Sequence, residues 1–380
     1  MTRIVLMANN VDEVGGAQRV VHVVAQGLAE RGYPVEVVGI APFSPTHTFF
    51  EQPAYSQTTL MDEPWPSPPP KTGFRRHLPA ARKQAQERTR LEHMATTRLA
   101  KHLAGGPAGI VVTAQLWAME LLARVPHDQW RVIGQYHSSF AAAAQGRDLV
   151  RALKLYADVD MFTLLTPQDA DDFRRIGLNN TTWLPNPLAV WPENVSRREE
   201  QVVTYVGRFS AEKGVAYLVD AWSSIADRHS EWSLRLVGSG PEEASLRARV
   251  DRLQREHGDL RVQFAPVTND VLAEYNRAGV MVLPSVTEGL PLVLAEAMAS
   301  GCACLAADCS PGVRMLADDG RAAELCSRGD STDLARHLSD LIVDPARRAE
   351  LGERARASMQ PYRLGPVLDQ WESLIATVLR

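Results

Sequence analysis

What the chain lacks bounds it first. No apolar run reaches the roughly 18–20 residues that crossing a bilayer requires. The opening run, 4–8, is too short for a secretory signal and gives way at once to Asn9 and Asn10. Cysteine is scarce, four in 380 residues, and three of them, Cys302, Cys304 and Cys309, crowd together. That excludes a disulfide framework and fits a reducing compartment. A zinc site built on those thiols would need a fourth ligand and a turn between the first two. Buried core thiols are therefore expected, with Cys302 and Cys304 on one face of a strand. No run of like charge stands out, and a net charge of −4 provides no global field for nucleic acid. The full Gly-x-Gly-x-x-Gly fingerprint of dinucleotide binding is also missing, which argues against hydride transfer. The expectation is a cytoplasmic protein with no membrane span, no metal and no nucleic-acid partner.

What is present reads as α/β. At 380 residues there is room for two domains, each with its own core. Apolar strand-length runs at 3–8, 35–40, 109–112, 131–136, 160–164 and 181–184 alternate with helical patterns. In the first of these, 17–31, Val20, Val24 and Leu28 share one stripe. Such alternation implies a mostly parallel sheet. The Pro-rich 184–196 and the charged 197–200 read as a linker. The series then restarts with runs at 202–206, 234–237, 261–264 and 280–283. Domains are expected at 1–188 and 201–360 about a linker at 189–200, and helices at 333–343 and 345–359 close the second.

Two stretches break the rhythm. Residues 41–72 are rich in Pro, Ser and Thr, including Trp65-Pro66-Ser67-Pro68-Pro69-Pro70, and read as a long excursion. Residues 74–103 read as a helix with eight Lys or Arg against two Glu, and with Leu91, Ala95, Leu99 and Leu103 on one stripe. A solvated basic face accounts for it. Contact with an anionic partner or a peripheral membrane contact through 74–103 is the alternative.

The chemistry concentrates in 285–301. An apolar strand ends at Pro284, a short polar loop follows, and good helix formers run to Gly301. Gly289 permits a tight turn, and Pro291 suits a first helical position. Outward-pointing amides at the helix start, with the dipole behind them, favour an anion by about 0.3–1 kcal/mol. Glu288 in the loop and Glu296 in the second helical turn bracket that point with seven residues between them.

Glu288-x7-Glu296 followed by Ala297-Met298-Ala299-x-Gly301 resembles the signature of retaining glycosyltransferases of the GT-B fold, in the large family 4 that includes sucrose synthase and bacterial mannosyltransferases. A second run, Val206-Gly207-Arg208-Phe209-x-x-Glu212-Lys213-Gly214, resembles that family's diphosphate motif. The resemblance implies two Rossmann-like domains facing a central cleft, the second holding a nucleotide-diphosphate sugar, UDP-sugar foremost, and the first holding a hydroxyl acceptor. It implies that Arg208, Lys213 and the backbone at Gly289, Leu290 and Leu292 bind the donor diphosphate, that Glu288 is catalytic and positions the sugar, and that Glu296 accepts from the ribose. Gly15-Gly16 resembles the first loop, whose amides touch phosphate or sugar, and His137 resembles the histidine beside the transferred sugar. Gly238-Ser239-Gly240 and 265–269 correspond to loops near the nucleotide. Asn186-Pro187 departs from the family's usual Asn-Gly. The implied reaction is metal-independent, cofactor-free transfer of a hexosyl or N-acetylhexosaminyl group with retention, and 361–380 is expected to pack back on the first domain. A nucleotide-sugar epimerase or phosphorylase of the same fold, and a non-catalytic nucleotide-sugar binder, remain the competing readings.

Overall fold

The computed structural model describes residues 1–66, 79–198 and 200–380. The chain divides into two compact units: Met1–Pro187 together with Leu364–Arg380, and Leu188–Arg363.

The first unit contains β1 (Ile4–Ala8), α1 (Gly16–Glu30), β2 (Val35–Gly39), β3 (Ser56–Thr59), α2 (Pro79–Ala104), β4 (Ile110–Thr113), α3 (Leu116–Leu122), β5 (Arg131–Gln135), α4 (Phe140–Gln145), α5 (Asp148–Leu155), β6 (Met161–Leu164), α6 (Pro167–Arg175) and β7 (Thr181–Trp183). The seven strands are parallel, in the order β3-β2-β1-β4-β5-β6-β7. Helices cover both faces of such a sheet, so its central strands are apolar throughout. β1 and β4 are buried along their whole length. β3 is the exception. Its Ser-Gln-Thr-Thr is mostly exposed at the sheet edge, inside what the sequence presents as an unbroken excursion. The stripe Leu91, Ala95, Leu99 and Leu103 on α2 is buried in the core. α2 begins at Pro79, and the start expected at 74–78 lies outside the described residues.

The second unit contains β8 (Val202–Val206), α7 (Val215–Ser223), β9 (Ser233–Val237), α8 (Glu243–His257), β10 (Val262–Ala265), α9 (Val271–Arg277), β11 (Val280–Leu283), α10 (Leu292–Ala299), β12 (Cys304–Ala307), α11 (Pro311–Leu316), β13 (Glu324–Cys326), α12 (Ser331–Val343) and α13 (Pro345–Ser358). Its sheet is parallel too, in the order β10-β9-β8-β11-β12-β13. The order reverses between β8 and β11, the place where open α/β sheets bind ligands.

Several expectations shift. Residues 189–198 and 200, read as a linker, are grouped with the second unit: Ser196 N donates to Ser300 O at 2.8 Å, and the Arg356 guanidinium lies 4.7 Å from the Trp191 ring centroid. Cys302 precedes its strand instead of lying on it, since β12 starts at Cys304. All four cysteines are buried and free. Pro291 is the N-cap of α10, one position before the helix, with an extended ψ of 110°. The last helix, α14 (Leu364–Val378), belongs to the first unit. It buries Val367, Leu368, Trp371, Leu374, Ile375 and Val378, and Arg31 on the C-cap of α1 pairs with its Glu372 at 2.6 Å.

Candidate active site

In the second unit the loops after β8 and β11 meet at the strand-order reversal. Phe209 is buried and fixes the first loop, its N donating to Ser239 O and its O accepting from Glu242 N, both at 2.9 Å. Arg208 stands beside this anchor. Its carbonyl accepts from the Tyr205 hydroxyl at 2.9 Å, while its guanidinium is exposed and bonds to no other described residue.

A single 3-10 turn, Ala211–Lys213, follows and ends at Gly214, whose φ of 64° is left-handed. A Cβ there would sit 2.2 Å from Pro284 O, so only glycine admits the second loop this close. The helix behind the motif therefore starts at Val215. Ser210 does not cap it; its hydroxyl bonds the Glu212 carboxylate at 2.6 Å and holds that group below the usual range. Glu212 O accepts from Val286 N at 2.8 Å, stitching the two loops together.

Across this seam Lys213 Nζ meets Glu288 Oε1 at 2.7 Å. The Ser285 hydroxyl donates to the same oxygen at 2.7 Å, and no described residue donates to Oε2. The Glu288 side chain is 8% exposed and that of Lys213 28%, so the pair lies at the edge of the interior with one carboxylate oxygen uncommitted.

Beyond Glu288 the backbone of Gly289 is held from the α11 side. The Ser310 hydroxyl donates to Gly289 O at 3.3 Å, and a Cβ on Gly312 would fall 1.9 Å from that same oxygen. α10 then starts with no side-chain cap and no acidic residue in its first turn, leaving amides at Leu292 and after for an anion. Leu290 is buried. Glu296, in the second turn of α10, is buried, and Tyr275 donates its hydroxyl to Oε2 at 3.3 Å. Burial pushes the nearby Cys309 thiol up to about 12, with the Glu288 charge adding, so it stays neutral.

Arg208, Lys213, Glu288, Gly289, Leu290, Leu292 and Glu296 thus all belong to the second unit, and Gly15, Gly16 and His137 belong to the first. Gly15 is the N-cap of α1, and Gly16 is its first residue. A Cβ on Gly15 would meet Gln18 Oε1 at 2.4 Å, and Gln18 itself bonds Asn10 Oδ1 at 2.8 Å. This helix also begins with no side-chain cap and no acidic residue.

His137 lies just past β5. Both ring nitrogens are buried and complete no hydrogen bond among the described residues. Burial pushes the imidazole down to about 4, with the nearby Asn186 side chain pulling the other way, so it is neutral at physiological pH.

A model of glycosyl transferases group 1 matches residues 191–358, and one of Glycosyltransferase Family 4 matches residues 14–190. The chain belongs to the family 4 glycosyltransferases. An uncharacterized glycosyltransferase of Haemophilus influenzae is 28% identical over 99% of this chain and 100% of its own length. N-acetyl-alpha-D-glucosaminyl L-malate synthase of Bacillus anthracis is 31% identical over 48% of this chain and 46% of its own. Among solved structures, sucrose-phosphate synthase from Thermosynechococcus elongatus superposes with a TM-score of 0.77 at 21% identity, covering 100% of this chain and 99% of that one. HepE of Anabaena, in complex with UDP and glucose, superposes at 0.78 with 17% identity, covering 99% of this chain and 100% of that one. The fold is GT-B, and the family assigns this glycosyltransferase a nucleotide-sugar donor.

Sequence reasoning missed the residues that steady the candidate site: Ser285, Tyr275, Ser310 and Gly312. Only Ser310-Pro311 carries a signal, a cap residue followed by a first-turn proline. The others act through contacts that local pattern does not encode.

Proposed function

We propose that this glycosyltransferase moves a hexosyl or N-acetylhexosaminyl group from a UDP-sugar to a hydroxyl acceptor, with retention at the anomeric carbon and without a metal. The observation that carries the reading is the Lys213–Glu288 contact at the β8/β11 reversal, with the Arg208 guanidinium, which bonds to no other described residue, on the same loop. Arg208 grips the diphosphate by its planar fork and Lys213 as a point charge. The amides of Gly289, Leu290 and Leu292 extend the cradle, and together these groups neutralise the charge that grows on the departing diphosphate. Glu288 uses its uncommitted Oε2 to hold the sugar's hydroxyls. Glu296, steadied by Tyr275, accepts from the ribose. In the first unit, Gly15 and Gly16 offer amides to the donor, and the neutral His137 is a hydrogen-bonding neighbour of the transferred sugar. The leaving diphosphate takes the acceptor proton in a front-face substitution. UDP is favoured because similar folds such as HepE have been solved with it. For acceptors, the basic face of 79–103 suits an anionic surface, including a membrane.

The test is a panel of UDP-, GDP- and ADP-sugars without acceptor or added metal, followed by thermal shift and by anomer-resolved NMR of slow hydrolysis. UDP-sugars are expected to raise the melting temperature and to release sugar with the anomer retained. Release of an epimerised sugar identifies an epimerase instead. No shift and no hydrolysis with any donor removes the reading.

A further inference from the structure

The passage that carries His137 is fastened at one end to β6 and at the other to α6. At one end Tyr136 N donates to Thr163 O in β6 at 3.1 Å. At the other, Phe140 N, the first amide of α4, donates to Asp169 Oδ1 in the first turn of α6 at 2.8 Å. Asp169 is 1% exposed. Its second oxygen accepts the Thr166 hydroxyl at 2.6 Å, and its own N donates back to Thr166 Oγ1 at 3.0 Å.

Thr166 by itself is a sufficient N-cap for α6. The helix dipole favours a carboxylate in this turn, but not one turned inward, where burial opposes its charge and raises its pKa. The Phe140 amide accounts for the inward turn. Ser139 is spent capping α4 through Ala142 N at 3.3 Å, so Phe140 N has Asp169 as its anchor. Between the fastened ends lie only His137, Ser138 and Ser139, with Asn186 approaching the imidazole from beyond β7.

We infer that Asp169 is a positioning residue of the glycosyltransferase: by holding the Phe140 amide it fixes the path of residues 137–139 and with it the direction of the His137 ring. The inference rests on the reading of His137 as a neighbour of the transferred sugar. Its substance is an acceptor oxygen at the right place, so the charge of Asp169 is dispensable while its reach is not.

The full-length chain is compared with Asp169→Asn, Asp169→Ala and Asp169→Ser. Asparagine keeps the oxygen for Phe140, and serine keeps a polar group but is too short to reach the amide. Two readouts are taken. The first is the His137 ring Cε1–H resonance at pH 5.5, assigned by its loss in His137→Gln. The second is kcat and KM for hydrolysis of the UDP-sugar that the donor panel selects. The asparagine variant is expected to keep the wild-type resonance and kcat within about threefold. Alanine and serine are expected to move the resonance toward that of a solvated imidazolium and to lower kcat about ten- to a hundredfold with KM little changed, as misdirection of a positioned group does. Should alanine fail to fold, serine carries the comparison. A wild-type resonance in both short variants overturns the inference, and so does an asparagine variant as impaired as alanine. If wild-type protein hydrolyses none of the UDP-sugars in the panel, it is the function reading that fails, and the resonance still decides the role of Asp169.

Discussion

Lys213 and Glu288 share a single contact at 2.7 Å, yet the proposed chemistry gives them different tasks, so their substitutions should part company. Lys213→Ala removes a charge-assisted bond to the diphosphate worth about 1.5–3 kcal/mol, and UDP affinity by calorimetry should fall about ten- to a hundredfold. Glu288→Gln keeps the Ser285 bond and frees Lys213. UDP should then bind at least as tightly as to wild type while turnover drops about a hundredfold or more. Equal losses of UDP affinity in both variants would contradict this division. His137 makes a separate prediction. The unfolded chain protonates this ring near 6.5 and the folded chain only near about 4, so between those values the unfolded state binds more protons. The contribution to stability is complete above 6.5 and drains away as pH falls toward 4, by about 1.4 kcal/mol per unit at most. Urea titrations at pH 7.5 and 5 should show the loss, and His137→Gln should flatten it.

At the scale of elements, the site depends on how closely α11 approaches the loop before α10. Gly312→Ala places a methyl 1.9 Å from Gly289 O and must push one of the two away. Overpacking of this kind costs about 1–3 kcal/mol of stability. UDP affinity should fall along with melting temperature, whereas Gly320→Ala, which meets nothing within 4 Å but sits at a φ of 92°, should lower the melting temperature alone. The strands that lead into the two loops of the candidate site were readable in advance: β8 and β11 fall at 202–206 and 280–283 because strands buried on both faces must be apolar end to end. β3 was not, since an exposed edge strand of Ser, Gln and Thr has no such obligation. Glu288, Arg208 and Lys213 were singled out by spacing and resemblance, and the fold brings Lys213 against Glu288. Ser285 on Glu288, Ser310 and Gly312 on Gly289, and Asp169 on Phe140 were not, because each is defined by a partner that the fold supplies.

For the whole molecule, α14 decides whether the first unit is complete. It buries six apolar side chains from Val367 to Val378, each worth about 1.5–3 kcal/mol, against a typical domain stability of about 5–15 kcal/mol. A chain stopped at Arg363 should therefore lose the cooperative unfolding of the first unit, seen as a missing calorimetric transition. The transition of the second unit should survive and still rise with UDP. Retention of both transitions would show that α14 is dispensable. The chain crosses between units at Pro187–Leu188 and again at Arg363–Leu364, where Leu188 N donates to Tyr362 O at 2.8 Å. The second unit is thus threaded into the first as an insertion. On the ribosome this inverts the usual order. The unit whose synthesis starts later has all its residues once Arg363 has emerged, and the unit that starts first must wait, its α1 face uncovered, until α14 leaves the exit tunnel.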